Sequence, residues 1–171
     1  MTRVAAIVLA AGEASRFGGP KQQVLLPRVL ERLRETAVDE VVVVEGAYQL
    51  EPQAGARLVH CEDWARGPGA SLRCGLDALG PEVEAAVVVL ADGPDLAPAS
   101  VERTVAEWRR HGGIVAASYA GTRGHPLVVG RADWREIPDG GLRDRSARLV
   151  PCDDLGSPGD VDTPDDLGFE H

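Results

Sequence analysis

Val4–Leu9 (VAAIVL), Val41–Val44 (VVVV), Arg57–His60 and Ala85–Ala91 (AAVVVLA) are strand-length runs that are nearly continuously apolar rather than alternating. A strand with one wet face alternates polar and apolar residues, whereas a near-continuous apolar strand has both faces covered. The segments between these runs have helical period. Val24–Thr36 sets Leu25, Val29, Leu30 and Leu33 on one face, Ser71–Leu79 does the same with Leu72, Leu76 and Leu79, and Pro98–Arg110 turns Val101, Val105 and Trp108 inward. Ile114–Tyr119 and Leu127–Val129 add strands, and short helices are predicted near Arg131–Glu136, Leu142–Ala147 and Pro164–Leu167. This β-α order predicts a three-layer α/β/α domain with a mostly parallel central sheet, occupying residues 1–171 as a single unit.

Composition narrows the function. Eighteen Lys and Arg against 27 Asp and Glu leave a formal charge of −9, which disfavours nucleic acid, whose binding rests on cations neutralising phosphates. No apolar run approaches the length of a membrane span, and the N-terminal run is too short for a signal peptide. Cys61, Cys74 and Cys152 lie without a paired spacing and read as small buried thiols in a reducing compartment, so a cytoplasmic protein is expected.

In layered α/β domains ligands sit beyond the carboxyl ends of the strands. The first such place is Leu9-Ala10-Ala11-Gly12-Glu13-Ala14-Ser15-Arg16-Phe17-Gly18-Gly19-Pro20-Lys21. It is neither the dinucleotide fingerprint, since no glycine lies two after Gly12, nor the Walker loop, since Pro20 precedes Lys21 and Gln22 follows it. Small residues let backbone N–H groups approach an anion, and one cation about 4 Å from a phosphate is worth about 4 kcal/mol at an effective dielectric near 20. Taken alone, the loop also reads as a surface turn with two solvated cations.

This stretch resembles the signature loop of the molybdenum-cofactor nucleotidyltransferases, the MobA-like group that includes cytidylyltransferases. The resemblance implies a Rossmann-like (GT-A-like) nucleotidyltransferase fold. It also implies that Leu9, Ala10, Ala11 and Gly12 meet the base, while Arg16 and Lys21 grip the phosphates. The related guanylyltransferases usually carry L-A-G-G, so Ala11 favours CTP over GTP or another NTP.

Four later stretches match the same family in the same order. Asp63–Arg73 resembles D-W-x-x-G-M-S-x-S-L-R and offers Ser71 to the nucleotide, with Gly67 on the acceptor side; Ser71 also reads as a helix N-cap. Leu90-Ala91-Asp92-Gly93-Pro94 resembles the L-A-D-Q-P turn, which implies that Asp92 is catalytic and binds Mg²⁺; a helix cap is the plainer reading. Gly124-His125-Pro126 resembles G-H-P, which puts His125 near the acceptor or in a structural turn. Asp160–Pro164 resembles D-I-D-T-P, with Asp162 as second metal carboxylate or as a cap before Pro164.

The resemblance thus implies nucleotidyl transfer, most readily of CMP from CTP to molybdopterin or another small phosphorylated acceptor such as a sugar phosphate or phospholactate. Mg²⁺ is the implied cofactor and a molybdoenzyme an implied client, with neither nucleic acid nor membrane as partner. Three departures stand out: about seven family residues are missing after Lys21, so the first helix must start sooner; Gly93 replaces Gln; and Pro68-Gly69 replaces Met-Ser. They motivate an alternative, a non-catalytic nucleotide-binding or cofactor-chaperone protein on the same scaffold.

Overall fold

The structure, a computed structural model, describes residues 3–12 and 21–159. The helix expected at Pro164–Leu167 lies outside the described residues. Strands β1 (Arg3–Ala10), β2 (Glu40–Glu45), β3 (Arg57–His60), β4 (Val83–Leu90), β5 (Ile114–Tyr119), β6 (Thr122–Gly130) and β7 (Arg148–Pro151) are joined by helices α1 (Lys21–Arg34), α2 (Pro68–Asp77) and α3 (Pro98–His111). The strands form one sheet in the order β3-β2-β1-β4-β6-β5-β7. β6 runs antiparallel to both its neighbours, and every other pairing is parallel.

Strand periodicity divides the core between the two faces. Along β1, Val4, Ala6, Val8 and Ala10 pack with Leu26, Val29 and Leu33 of α1 and with Val101 and Val105 of α3. Ala5 and Ile7 point the other way, to Leu72 and Leu76 of α2. Both faces being covered from Val4 onward, the strand has no polar residue beyond the exposed Arg3 at its start. No helix among the described residues is long and apolar enough to cross a membrane.

Several elements differ from the sequence reading. α1 starts at Lys21 and α2 at Pro68, each three residues earlier than predicted. For α2 the reason is Pro68 in the first turn, where a missing N–H costs nothing. The helix expected over Arg131–Glu136 is only a 3₁₀ turn, Arg131–Asp133, because Glu136 takes φ 59° and Pro138 follows. No helix forms over Leu142–Ala147: Arg123 takes the carbonyls of Leu142 and Arg145 at 2.9 and 2.7 Å. The strand expected at Leu127–Val129 extends back to Thr122, so Gly124-His125-Pro126 lies inside β6, beside a register shift opposite Ala116 and Ser118 that accommodates a proline without a ladder N–H. A hairpin turn with positive φ at Ala120 and Gly121 joins β5 to β6.

The cysteines correct another expectation. Cys61 and Cys74 form a disulfide with Cα atoms 5.8 Å apart, bridging the end of β3 and α2; Cys152 alone is free and buried. The pair carries no motif spacing because it is made by packing α2 across the strand end.

Candidate active site

The β1–β4 register pairs Leu9 with Leu90, so the chain leaves two adjacent parallel strands side by side, one toward Ala11 and Gly12 and the other toward Asp92. The ends are tied together: Ala91 N–H donates to Leu9 O at 3.1 Å, and Ala47 N–H, beyond β2, donates to Ala11 O at 3.0 Å. Here β1 has β2 on one side and β4 on the other, and such a point opens a crevice at the carboxyl edge.

That crevice holds a cavity of about 320 Å³ in which Ala11, Gly12, Gly67, Ser71 and Asp92 meet the Trp64 ring, with Leu9 in its wall. A side chain on Gly12 would touch nothing within 4 Å among the described residues, so its backbone faces the cavity. Ala10, by the alternation of β1, packs its methyl on the α1 face instead. Asp92 is half-buried and six residues ahead of α3, whose N-cap is Ala97, which removes the helix-cap reading. Ser71 is not the N-cap of α2 either, since Gly67 holds that place. Ser71 is only 4% exposed, lines the cavity, and its hydroxyl has no hydrogen-bond partner among the described residues. A buried hydroxyl without a partner is costly unless a ligand completes it. The N–H groups of the first turn of α2 are not all free for an anion, because Gly69 N–H already donates to Asp139 O at 2.8 Å.

His125 lines two further cavities, of about 530 and 410 Å³, which join the first at Leu90. Burial pulls its imidazole below the ordinary range; the charge of Asp92 opposes this and that of Arg123 adds to it. His125 is therefore a neutral ring near Asp92 at neutral pH. Its carbonyl accepts from Tyr119 Oη at 2.7 Å, and burial pushes that phenol up to about 12.

The family departures have packing reasons. A side chain on Gly69 would lie 1.7 Å from Pro138 O, and one on Gly67 (φ 134°) 2.3 Å from Asp139 O, so the Gly-Pro-Gly corner is shaped by the 138–141 turn docked on it. Gly93 lies under Pro158, 3.1 Å from where its Cβ would be. Sequence reading missed this turn, along with Arg123 and Arg143; the Gly140-Gly141 pair was the available signal of a turn.

Arg16 and Asp162 lie outside the described residues, as does the side chain of Lys21. Among the described residues no three His, Cys, Asp or Glu side chains converge as a metal cluster. Mg²⁺ in a phosphate site needs fewer, since it takes one or two carboxylates and fills its remaining positions with phosphate oxygens and water. A half-buried hard-oxygen donor such as Asp92 at the wall of an open cavity fits that requirement.

A family model described as the MobA-like NTP transferase domain matches residues 6–150. The crystal structure of Rv0371c from Mycobacterium tuberculosis H37Rv superposes with a TM-score of 0.81 at 27% identity, covering 98% of this chain and 96% of that one. The same Mycobacterium tuberculosis protein in complex with manganese gives 0.79 at 26% identity, covering 98% and 97%. A CMP:2-keto-3-deoxy-manno-octonic acid synthetase complexed with CTP shares the fold at 14% identity, with a TM-score of 0.71 over 97% and 95% of the two chains. No functionally curated protein matches the chain.

Proposed function

Since this chain belongs to the MobA-like NTP transferase domain family, we propose that it moves CMP from CTP onto a small phosphorylated acceptor, molybdopterin foremost, and releases pyrophosphate. The observation that carries this reading is the meeting of Asp92, the Ala11-Gly12 backbone and the Ser71 hydroxyl, which has no partner among the described residues, in one cavity at the β1/β4 crevice.

In the reaction an acceptor phosphate oxygen attacks the α-phosphorus of CTP, a new P–O bond forms, and the bond to the β-phosphate oxygen breaks in line. Such chemistry needs positioning and charge stabilisation rather than a side-chain nucleophile. The Ala11-Gly12 backbone and the Trp64 ring bound the nucleotide, and Ser71 Oγ donates to it. Arg16 and Lys21 are assigned the triphosphate. Asp92, with Asp162, is assigned the divalent ion, and a manganese complex of a relative at 26% identity supports an ion of that class. When bound, Mg²⁺ neutralises and orients the α-phosphate. Ala11 in place of a second glycine favours CTP.

Asp92→Asn tests the reading. The variant is expected to unfold at the wild-type temperature while pyrophosphate release from CTP and molybdopterin falls about a hundredfold or more. Turnover near wild type would remove Asp92 from the chemistry. The start of α1 at Lys21 itself favours a second reading, a nucleotide-binding protein that chaperones the cofactor toward a molybdoenzyme. Calorimetry showing CTP bound with no pyrophosphate formed from molybdopterin, sugar phosphates or phospholactate would select it.

A further inference from the structure

The cavity of about 530 Å³ beyond Leu90 has an apolar floor of Leu72, Val88 and Leu127 and a rim carrying Arg123 and Arg143. No carboxylate lines it among the described residues, although the chain bears a net −9. Arg123 is half-buried and binds only backbone carbonyls, so its charge has no carboxylate opposite it among the described residues; burial holds its pKa below the ordinary value. An arginine keeps its proton under those conditions and attracts an anion instead. Arg143 is exposed and enters no ion pair among the described residues.

The turn that presents Arg143 is anchored. Arg73 Nη2 donates to Asp139 Oδ1 at 2.6 Å while its Nη1 donates to Ile137 O, Gly69 N–H donates to Asp139 O, and Arg123 holds Leu142 O. Asp139, the carboxylate on that turn, is paired with Arg73 and Arg66. A cation on a fixed turn above an apolar floor is arranged in advance for a ligand with a charged end and a flat or apolar body.

We infer that Arg143, backed by Arg123, is the residue through which this pocket recognises the anionic group of its ligand, the apolar floor receiving the ligand's body. Calling the ligand an acceptor rests on the transferase reading; the pocket's selectivity does not. The nucleotide has its own cavity beside Asp92, and a bare phosphate would leave the apolar floor uncovered.

The test uses 1-naphthyl phosphate as probe, with 1-naphthol as control, titrated calorimetrically into wild type, Arg143→Glu and Arg143→Lys. The expected result is binding by wild type that weakens at least about tenfold, or 1.4 kcal/mol, in Arg143→Glu. Arg143→Lys should recover part of the loss, and the affinity of CTP with Mg²⁺ should stay within about twofold across the three proteins. Equal binding by wild type and Arg143→Glu, absence of binding to wild type, or naphthol binding as well as its phosphate would each overturn the inference. If no acceptor yields pyrophosphate, the transferase reading fails while the naphthyl phosphate result still decides the pocket.

Discussion

Arg73 Nη2 lies 2.6 Å from Asp139 Oδ1, and this pair fastens the middle of α2 to a turn 66 residues further along the chain. Arg66 reaches the other oxygen at 3.4 Å, and these arginines hold the carboxyl below the usual carboxylate range, the Arg73 hydrogen bond most of all. Arg73→Met removes the donor to both Asp139 and Ile137 O. Hydrogen exchange at the Gly69 and Gly141 amides, which donate to Asp139 O and Pro138 O, should then accelerate about tenfold while β1 and β4 amides are unmoved. Unchanged protection at both glycines would show that backbone contacts alone hold the turn.

Gly12 and Gly69 border the same corner and predict opposite outcomes. In Gly69→Ala the new methyl would meet Pro138 O, a backbone atom that cannot swing away, and a loss of about 2–4 kcal/mol in urea unfolding is expected. In Gly12→Ala the methyl meets nothing within 4 Å among the described residues, so stability should stay within about 0.5 kcal/mol while CTP affinity falls, because the added carbon occupies the cavity.

What sequence could tell about this molecule follows the range of the interactions involved. The continuous apolar runs of β1, β2 and β4 report burial of both faces directly, and the leucines of α1 report one helical stripe, so the central layers were readable. Gly12 and Asp92 could be singled out because they follow β1 and β4, whereas Ser71, in the first turn of α2, was singled out by the resemblance of Asp63–Arg73 to a family motif. β7 was not readable: it is a four-residue edge strand with Leu149 43% exposed and Pro151 at its end, which leaves no pattern. The spacing of Leu142 and Ala147 suggests a helix, but the Arg123 side chain, about 20 residues away, claims the carbonyls such a helix would need. Arg143 escaped notice for the same reason, since its place at the pocket is fixed by contacts from α2 and β6 rather than by its own neighbours.

The Cys61–Cys74 bridge, at a sequence separation of 13, encloses Trp64, Ala65, Gly67, Pro68 and Ser71 of the nucleotide cavity. Closing a loop of that size stabilises by about 3 kcal/mol in the chain-entropy account. Thermal unfolding should therefore shift downward on addition of a phosphine reductant, and Cys74→Ala should show the lower value with no further response. A wild-type curve that ignores the reductant would restore the reading of three separate thiols.

His125 gives the protein a pH dependence whose sign is fixed by its surroundings. Burial favours the neutral imidazole, with Arg123 reinforcing and Asp92 opposing, so the folded pKa lies below the unfolded one. The unfolded chain then binds more protons between the two values, and stability rises with pH there. The contribution is fully present above the unfolded value of about 6.5 and is lost as pH falls through it toward the folded value. Urea unfolding between pH 7.5 and 5 should show wild type losing stability with a slope of up to about 1.4 kcal/mol per pH unit from this one group. His125→Gln should flatten that slope, and Asp92→Asn should steepen it by removing the charge that favours the imidazolium. A steeper slope in His125→Gln would mean that the ring stays protonated in the folded state over this range, and an unchanged slope in Asp92→Asn would mean that the Asp92 charge does not reach the ring.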